Sequence, residues 1–219
     1  MTMRAPEVAV IDYGMGNLLS VRRGLEHCGA TVTVTSDPNV IVSSRWVVLP
    51  GVGAFSDGMA ELRRKKLDST VLEVAELGIP LLGICLGMQM LLDESEEFGT
   101  TAGLGLIPGR VVPVPSTTAE GQSQKIPHIG WNALVLPQGR TGWHDTLLQD
   151  VGVGQAAYFV HSFMASPVDP AHRVADCLYG GMLVSAAIAR HNIHGCQFHP
   201  EKSGEVGLTV LKTFLAQQT

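Results

Sequence analysis

Ile79-Pro80-Leu81-Leu82-Gly83-Ile84-Cys85-Leu86-Gly87-Met88-Gln89-Met90-Leu91-Leu92 is an apolar run broken by glycines at 83 and 87. Its first part, Pro80–Ile84, has the length and bulk of a strand buried on both faces. Its second part, Met88–Leu92, continues directly as a helix. A strand that feeds straight into a helix belongs to a parallel α/β sheet, and the sequence upstream repeats the pattern. Glu7–Ile11 is a β-branched run leading through Tyr13-Gly14-Met15-Gly16 to Asn17, a helix N-cap. Leu18, Val21, Leu25 and Cys28 follow at helical spacing, and Gly29 ends them. Thr31–Thr35 and Arg45–Leu49 are the next strands. Asp57 to Leu77 reads as one helix, with Leu67, Val71 and Val74 on a face. Right-handed crossovers stack these units into one sheet.

Downstream the pattern changes. Short β-rich pieces (Val111–Val114, Ala156–Val160, Val174–Leu178, Leu183–Ala189, Ile193–Phe198) are divided by Gly and Pro, and predict antiparallel strands extending the sheet. A last helix spans Gly204 to Ala216. Pro115–Lys125 is polar and predicts a mobile surface loop. The expectation is one α/β domain over residues 1–219: a central, largely parallel sheet, helices on both faces, and an antiparallel extension.

Composition narrows the function classes. Of 219 residues, 45% are hydrophobic and 16% charged, too apolar for disorder and ample for a core without disulfide or metal staples. A net charge of −5 argues against binding a phosphate backbone, so no nucleic-acid partner is expected. The longest apolar run is interrupted and falls short of the ~20 residues of a membrane-spanning helix. Val8–Ile11 stops at Asp12, too soon for a signal-peptide core. Cys28, Cys85, Cys177 and Cys196 form no CxxC pair, which argues against a disulfide framework or zinc ribbon. A cytoplasmic protein without membrane attachment is the expectation.

The junction at Gly83-Ile84-Cys85-Leu86-Gly87 has the form of a nucleophile elbow with cysteine in the serine position. A sharp strand-to-helix turn projects the nucleophile and tolerates little bulk two residues to either side. The helix N-terminus beyond it favours a thiolate, and the Leu86 N–H can stabilise an oxyanion. A buried structural cysteine in a Gly-rich turn is the alternative on this pattern alone. A thiolate needs a base, and His199-Pro200-Glu201 supplies a candidate. Pro200 biases His199 to an extended backbone, in which Glu201, two residues on, points the same way and orients the imidazole. Pro50-Gly51-Val52-Gly53-Ala54-Phe55 ends the third strand with backbone amides open to a ligand, as an oxyanion or carboxylate cradle requires. Both 50–55 and 83–87 lie at strand carboxyl ends, where sites in parallel α/β sheets gather.

Together, PGVGAF (50–55), GICLGMQ (83–89), YFVHSF (158–163) and HPEKSG (199–204) resemble the class I, triad-type glutamine amidotransferases, with their flavodoxin-like fold. The opening IDYGMGNLLSV (11–21) and KIPHIGWN (125–132) look like the glutaminase subunits of imidazole glycerol phosphate synthases. The resemblance implies that Cys85 attacks the side-chain amide of L-glutamine. It implies that His199 moves the proton, that Glu201 orients His199, and that a glutamyl thioester is then hydrolysed. It further implies oxyanion donors at the backbone of Val52, Gly53 and Leu86. Glutamine contacts are implied at Gly51, Gln89, His161, Ser162 and Phe163. The family's partner is a separate (β/α)₈-barrel cyclase that receives the ammonia, for which 219 residues leave no room in this chain.

Weaker signals point elsewhere. The Gly14/Gly16 turn lacks the third glycine of a dinucleotide fingerprint, Leu19 standing in its place, so no cofactor is expected. His191, His194, Cys196 and His199 suggest zinc, but strand alternation sends His194 and Cys196 to the face opposite His199, so no metal is expected either. Arg63-Arg64-Lys65-Lys66 reads as a solvated helix face. KIPHIGWN, aromatic with little charge at its centre, reads as an interface strip.

Overall fold

Alternate residues of the first strands enter two different cores. In β1 (Glu7–Ile11), Val8 and Val10 pack on one side of the sheet and Ala9 and Ile11 on the other, all fully buried. That alternation is why helices cover both faces. The computed structural model describes residues 7–217. After β1 come α1 (Leu18–His27), β2 (Thr31–Thr35), α2 (Pro38–Ser43), β3 (Trp46–Gly51), α3 (Phe55–Arg64), α4 (Leu67–Glu76), β4 (Leu81–Cys85) and α5 (Leu86–Met90). Then follow β5 (Leu92–Ser95), β6 (Thr101–Ala102), β7 (Ile107–Pro113), β8 (His128–Val135), β9 (Ala156–His161) and β10 (Phe163–Pro167). Strands β11 (Arg173–Tyr179), β12 (Met182–Arg190) and β13 (Ile193–Cys196) precede the last helix, α6 (Gly204–Leu215).

Among the described residues nine strands form the main sheet in the order β2-β1-β3-β4-β13-β12-β11-β8-β9, and β10-β7-β5-β6 form a second, smaller sheet. The pairs from β2 to β13 are parallel and those from β13 to β9 antiparallel. Helices α1 and α6 bury Val21, Leu25, Val210, Leu211 and Phe214 on one face. On the other face α3 and α4 bury Met59, Leu62, Val71 and Val74. Each such side chain contributes roughly 1.5–3 kcal/mol of transfer free energy. Asn17 caps α1 as the sequence predicts, its side chain accepting from the Ser20 N–H at 3.4 Å.

Several expectations are corrected. The sequence predicts Ile193–Phe198 as a strand of the antiparallel extension; the strand is Ile193–Cys196, antiparallel to β12 on one side but parallel to β4 on the other, Ile193 opposite Leu81 and Cys196 opposite Ile84. All four of its residues are buried, which suits a central strand. Val111–Val114 does not extend the main sheet; its first three residues end β7 in the small one, and Val114 follows the strand. The long helix over 57–77 is two helices, broken where Lys66 adopts a left-handed conformation (φ 58°, ψ 28°). Five residues separate Leu62 from Leu67, about 140° around a continuous helix, so the break lets both apolar faces meet the sheet. Met88–Leu92 is not wholly helical, because α5 ends at Met90 and Leu92 enters β5. The 115–125 segment is not a free loop: Thr117 bridges Ser123, and the Ala119 N–H donates to the Gly180 carbonyl at 2.8 Å.

Candidate active site

Cys85 is the last residue of β4 and holds φ 55°, ψ −110°, a conformation that non-glycine residues adopt only under constraint. The constraint comes from the flanking glycines. A Cβ on Gly83 would stand 2.7 Å from the Gly87 carbonyl oxygen, and one on Gly87 would overlap the Leu49 carbonyl. The two strands and α5 therefore approach more closely than any side chain permits. Gly87→Ala is expected to destabilise the fold by about 3 kcal/mol or more, because the obstruction is backbone and cannot rotate away. Urea unfolding of the variant checks this.

His199 stands three residues beyond the end of β13. Its N–H donates to the Tyr158 carbonyl at 3.0 Å, and Ser203 Oγ both donates to the His199 carbonyl (2.7 Å) and accepts from the Tyr158 N–H (2.9 Å). These bonds tie the base to β9. The sequence predicts extended backbone through Glu201, but a 3₁₀ turn begins at Pro200. Glu201 reaches the ring all the same, Oε1 lying 2.8 Å from His199 Nδ1, with both side chains buried. The other nitrogen, Nε2, is buried without a hydrogen-bond partner. Burial opposes charge on this imidazole, yet the neighbouring Cys85 sulfur and Glu201 carboxylate outweigh it and raise its pKa to about 9.

Cys85 and His199 open onto one cavity of about 370 Å³, which suits a small metabolite. Val52, Gly53 and Leu86 line it beside the sulfur, and Gln89, His161, Ser162 and Phe163 line it as well. Gly51 lies in the strand just before, directly paired with Cys85. Ser162 is where the chain leaves β9 in the main sheet for β10 in the small one, which turns residues 161–163 towards the cavity. Gln89 Nε2 is engaged within the protein, donating to the Phe163 carbonyl (2.9 Å) and to Gln197 Oε1 (3.0 Å). The Gly-rich turn after β1 sits against the cradle strand, with Gly16 over Pro50 and the Tyr13 hydroxyl over Gly51.

Two residues here escape the sequence reading. Gln197 Nε2 lies 3.7 Å from Cys85 Sγ; its place two residues before His199 was the available signal. Glu97 lines the cavity while its Oε2 accepts from the Phe55 N–H at 2.7 Å, capping α3. In sequence it is one acid among several in a polar turn, so nothing marked it. The basic run at the end of α3 is a solvated face as the sequence predicts, with Arg63, Arg64 and Lys66 exposed; Arg63 also donates to the Ala102 carbonyl, Arg64 pairs with Glu61, and half-buried Lys65 donates to the Asp12 carbonyl. Among the described residues no three His, Cys, Asp or Glu side chains are grouped to hold a metal ion, and no helix is long and apolar enough to cross a membrane.

The family description "Glutamine amidotransferase class-I" matches residues 9–218. The imidazole glycerol phosphate synthase subunit HisH 1 of Legionella pneumophila (strain Lens) is 52% identical over 208 residues, covering 95% of this chain and 98% of that protein. The HisH subunit of Geobacillus sp. (strain WCH70) is 45% identical, covering 94% and 95%. Among solved structures, a chain of PurLQS from Thermotoga maritima superposes with a TM-score of 0.72 at 20% identity, covering 97% of this chain and 99% of its own. The glutaminase domain of Trypanosoma brucei CTPS with bound acivicin gives 0.63 at 14% identity, covering 98% and 96%. At those identities the two structures speak for the fold alone.

Proposed function

This chain is a member of the class I glutamine amidotransferase family, and from that premise we propose that it is the glutaminase subunit of an imidazole glycerol phosphate synthase of histidine biosynthesis. The observation that carries the reading is one cavity holding a cysteine at a strained strand-to-helix elbow and a histidine oriented by a buried carboxylate at 2.8 Å. Cys85 Sγ attacks the side-chain carbonyl carbon of L-glutamine, and backbone amides of Val52, Gly53 and Leu86 receive the oxyanion. His199, held protonated at neutral pH, gives its proton to the departing ammonia as the C–N bond breaks. The neutral imidazole then takes a proton from water, which hydrolyses the glutamyl thioester to glutamate. Glu201 keeps Nδ1 occupied, so that Nε2 is the nitrogen offered to sulfur, ammonia and water. Gly51 and residues 161–163 hold the far end of glutamine. Glu97 takes its α-ammonium, and Gln89 acts through its bond to the Phe163 carbonyl.

The ammonia passes to a (β/α)₈-barrel cyclase in a cytoplasmic heterodimer. Exposed Ile129 and Trp131 on β8, with Leu19 at the start of α1, support an apolar docking face. Ammonia released without an acceptor is lost to water, so the lone chain is expected to be a poor glutaminase. The cradle offers a switch, because Val52 is 42% exposed between Gly51 and Gly53, and its peptide can turn. One oxyanion donor is worth ~10²–10³ in rate. Glutamate release is therefore expected to rise by at least about that factor from the lone chain to the complex with nucleotide ligand. Equal rates in all states would refute the switch, and no glutamate release in any state would refute the glutaminase.

A further inference from the structure

Two buried histidines on neighbouring strands are joined to each other and, at both ends, to fixed oxygens. His161 Nδ1 lies 2.8 Å from the Phe163 carbonyl oxygen, His161 Nε2 lies 3.0 Å from His128 Nδ1, and His128 Nε2 lies 3.0 Å from Asn132 Oδ1. The Phe163 carbonyl can only accept. The Asn132 amide is held one way round because its Nδ2 donates to the Leu178 carbonyl at 2.7 Å. Turning it over would set two oxygens against each other. Three contacts bounded by an oxygen at each end need three N–H protons, and two neutral imidazoles supply two. We propose that His128 and His161 share one additional proton as an imidazole–imidazolium pair, and that this buried charge on the cavity wall draws in the α-carboxylate of the substrate. The choice of substrate rests on the glutaminase reading above; the proton count does not.

The surroundings suit such a pair. His128 is fully buried and stacked between the rings of Phe159 (5.0 Å) and Tyr179 (4.2 Å), whose faces favour a cation. His161 is itself a wall of the cavity. Burial works against the charge, pushing His128 down and His161 to about 3. Losing the third proton, however, leaves two acceptors facing each other at 3.0 Å inside the protein. Tyr179 on β11 stacks on the pair, Cys85, His199 and Glu97 line the cavity with it, and Arg173, Asp176 and Cys177 on β11 and Tyr158 on β9 lie on the same elements. Lys125, just before β8, keeps its side chain exposed. A substrate carboxylate beside the pair would answer its positive charge.

The test uses the full-length Cys85→Ala chain, which removes the sulfur and any turnover. Calorimetric binding of L-glutamine is followed from mildly acidic to alkaline pH beside L-glutamine α-amide, which lacks the carboxylate, each corrected for its own ammonium. Glutamine affinity is expected to fall about tenfold as the pair loses its proton, the scale of one partly screened charge contact, while the α-amide does not respond. Adding His128→Gln, which keeps a polar group in place, is expected to remove the pair's share of the pH dependence and leave only that of His199. Adding Asn132→Asp, which puts a carboxylate at the end of the chain, is expected to move it to higher pH. Nitrogen-15 NMR of the histidine rings gives a readout independent of substrate: one strongly deshielded, slowly exchanging ring proton and a joint titration. Equal pH responses of the two ligands, an unchanged response in His128→Gln, or glutamine failing to bind at any pH would overturn the substrate half. Two neutral rings throughout would overturn the shared proton.

Discussion

Replacing Cys85 with alanine is expected to bring glutamine-dependent synthesis by the complex to background, while synthesis from added ammonia stays within a few-fold of wild type. The two activities part because the thiol is needed only to release ammonia, and the cyclase chemistry belongs to the other subunit. Among the described residues no other cysteine lines the cavity. Cys177 and Cys196 are buried in the core and held in the thiol form by burial, which raises both. Cys28 caps the C-terminal end of α1, its Sγ donating to the Leu208 carbonyl at 3.6 Å. Alanine at those three positions is expected to cost stability, a few kcal/mol at most, and little activity. Parallel assays with glutamine and with ammonium salt check the separation.

The second large effect belongs to His199. Alanine there removes both the proton donor for ammonia and the base for thioester hydrolysis, so the glutamine-dependent rate is expected to fall by ~10²–10⁴ or more. Glu201→Gln is expected to cost less, because the ring stays tied to β9 through its backbone and Ser203. The reverse order would refute these roles. Glu201→Gln carries a second signature. His199 is raised from 6.5 to about 9 in the folded chain, so its pairing stabilises the fold fully below about pH 6.5 and is lost as pH climbs through 9. Removing the carboxylate lowers that upper bound, and the alkaline limb of both stability and kcat/KM is expected to move to lower pH.

How much of this was legible in the sequence depended on how local the cause was. The elbow could be read because its demands lie within five residues: a strand, two glycines that clear Leu49 and Gly87, and a nucleophile between them. Asn17 and α1 could be read for the same reason. Direction and sheet membership could not. Nothing within Ile193–Cys196 says that it will pair parallel with β4, because that is fixed by the hairpin from β12 and by the space left beside β4. Strand β10 was missed because Ser162 lets two strands abut without the Gly or Pro that normally separates them. Glu97 and Gln197 escape the sequence because their meaning comes from partners far along the chain, Phe55 at 42 residues and Cys85 at 112. His199 and Glu201 were paired on an extended geometry that the 3₁₀ turn replaces. A two-residue separation lets the side chains meet in either conformation.

The most direct test of the central claim is covalent. The complex is acid-quenched during glutamine turnover, digested, and searched by mass spectrometry for a glutamyl adduct on cysteine. The account predicts the adduct on the peptide carrying Cys85, absent from Cys85→Ala. Steady glutamate release with no adduct on Cys85, or with the adduct on Cys28, Cys177 or Cys196, would contradict it.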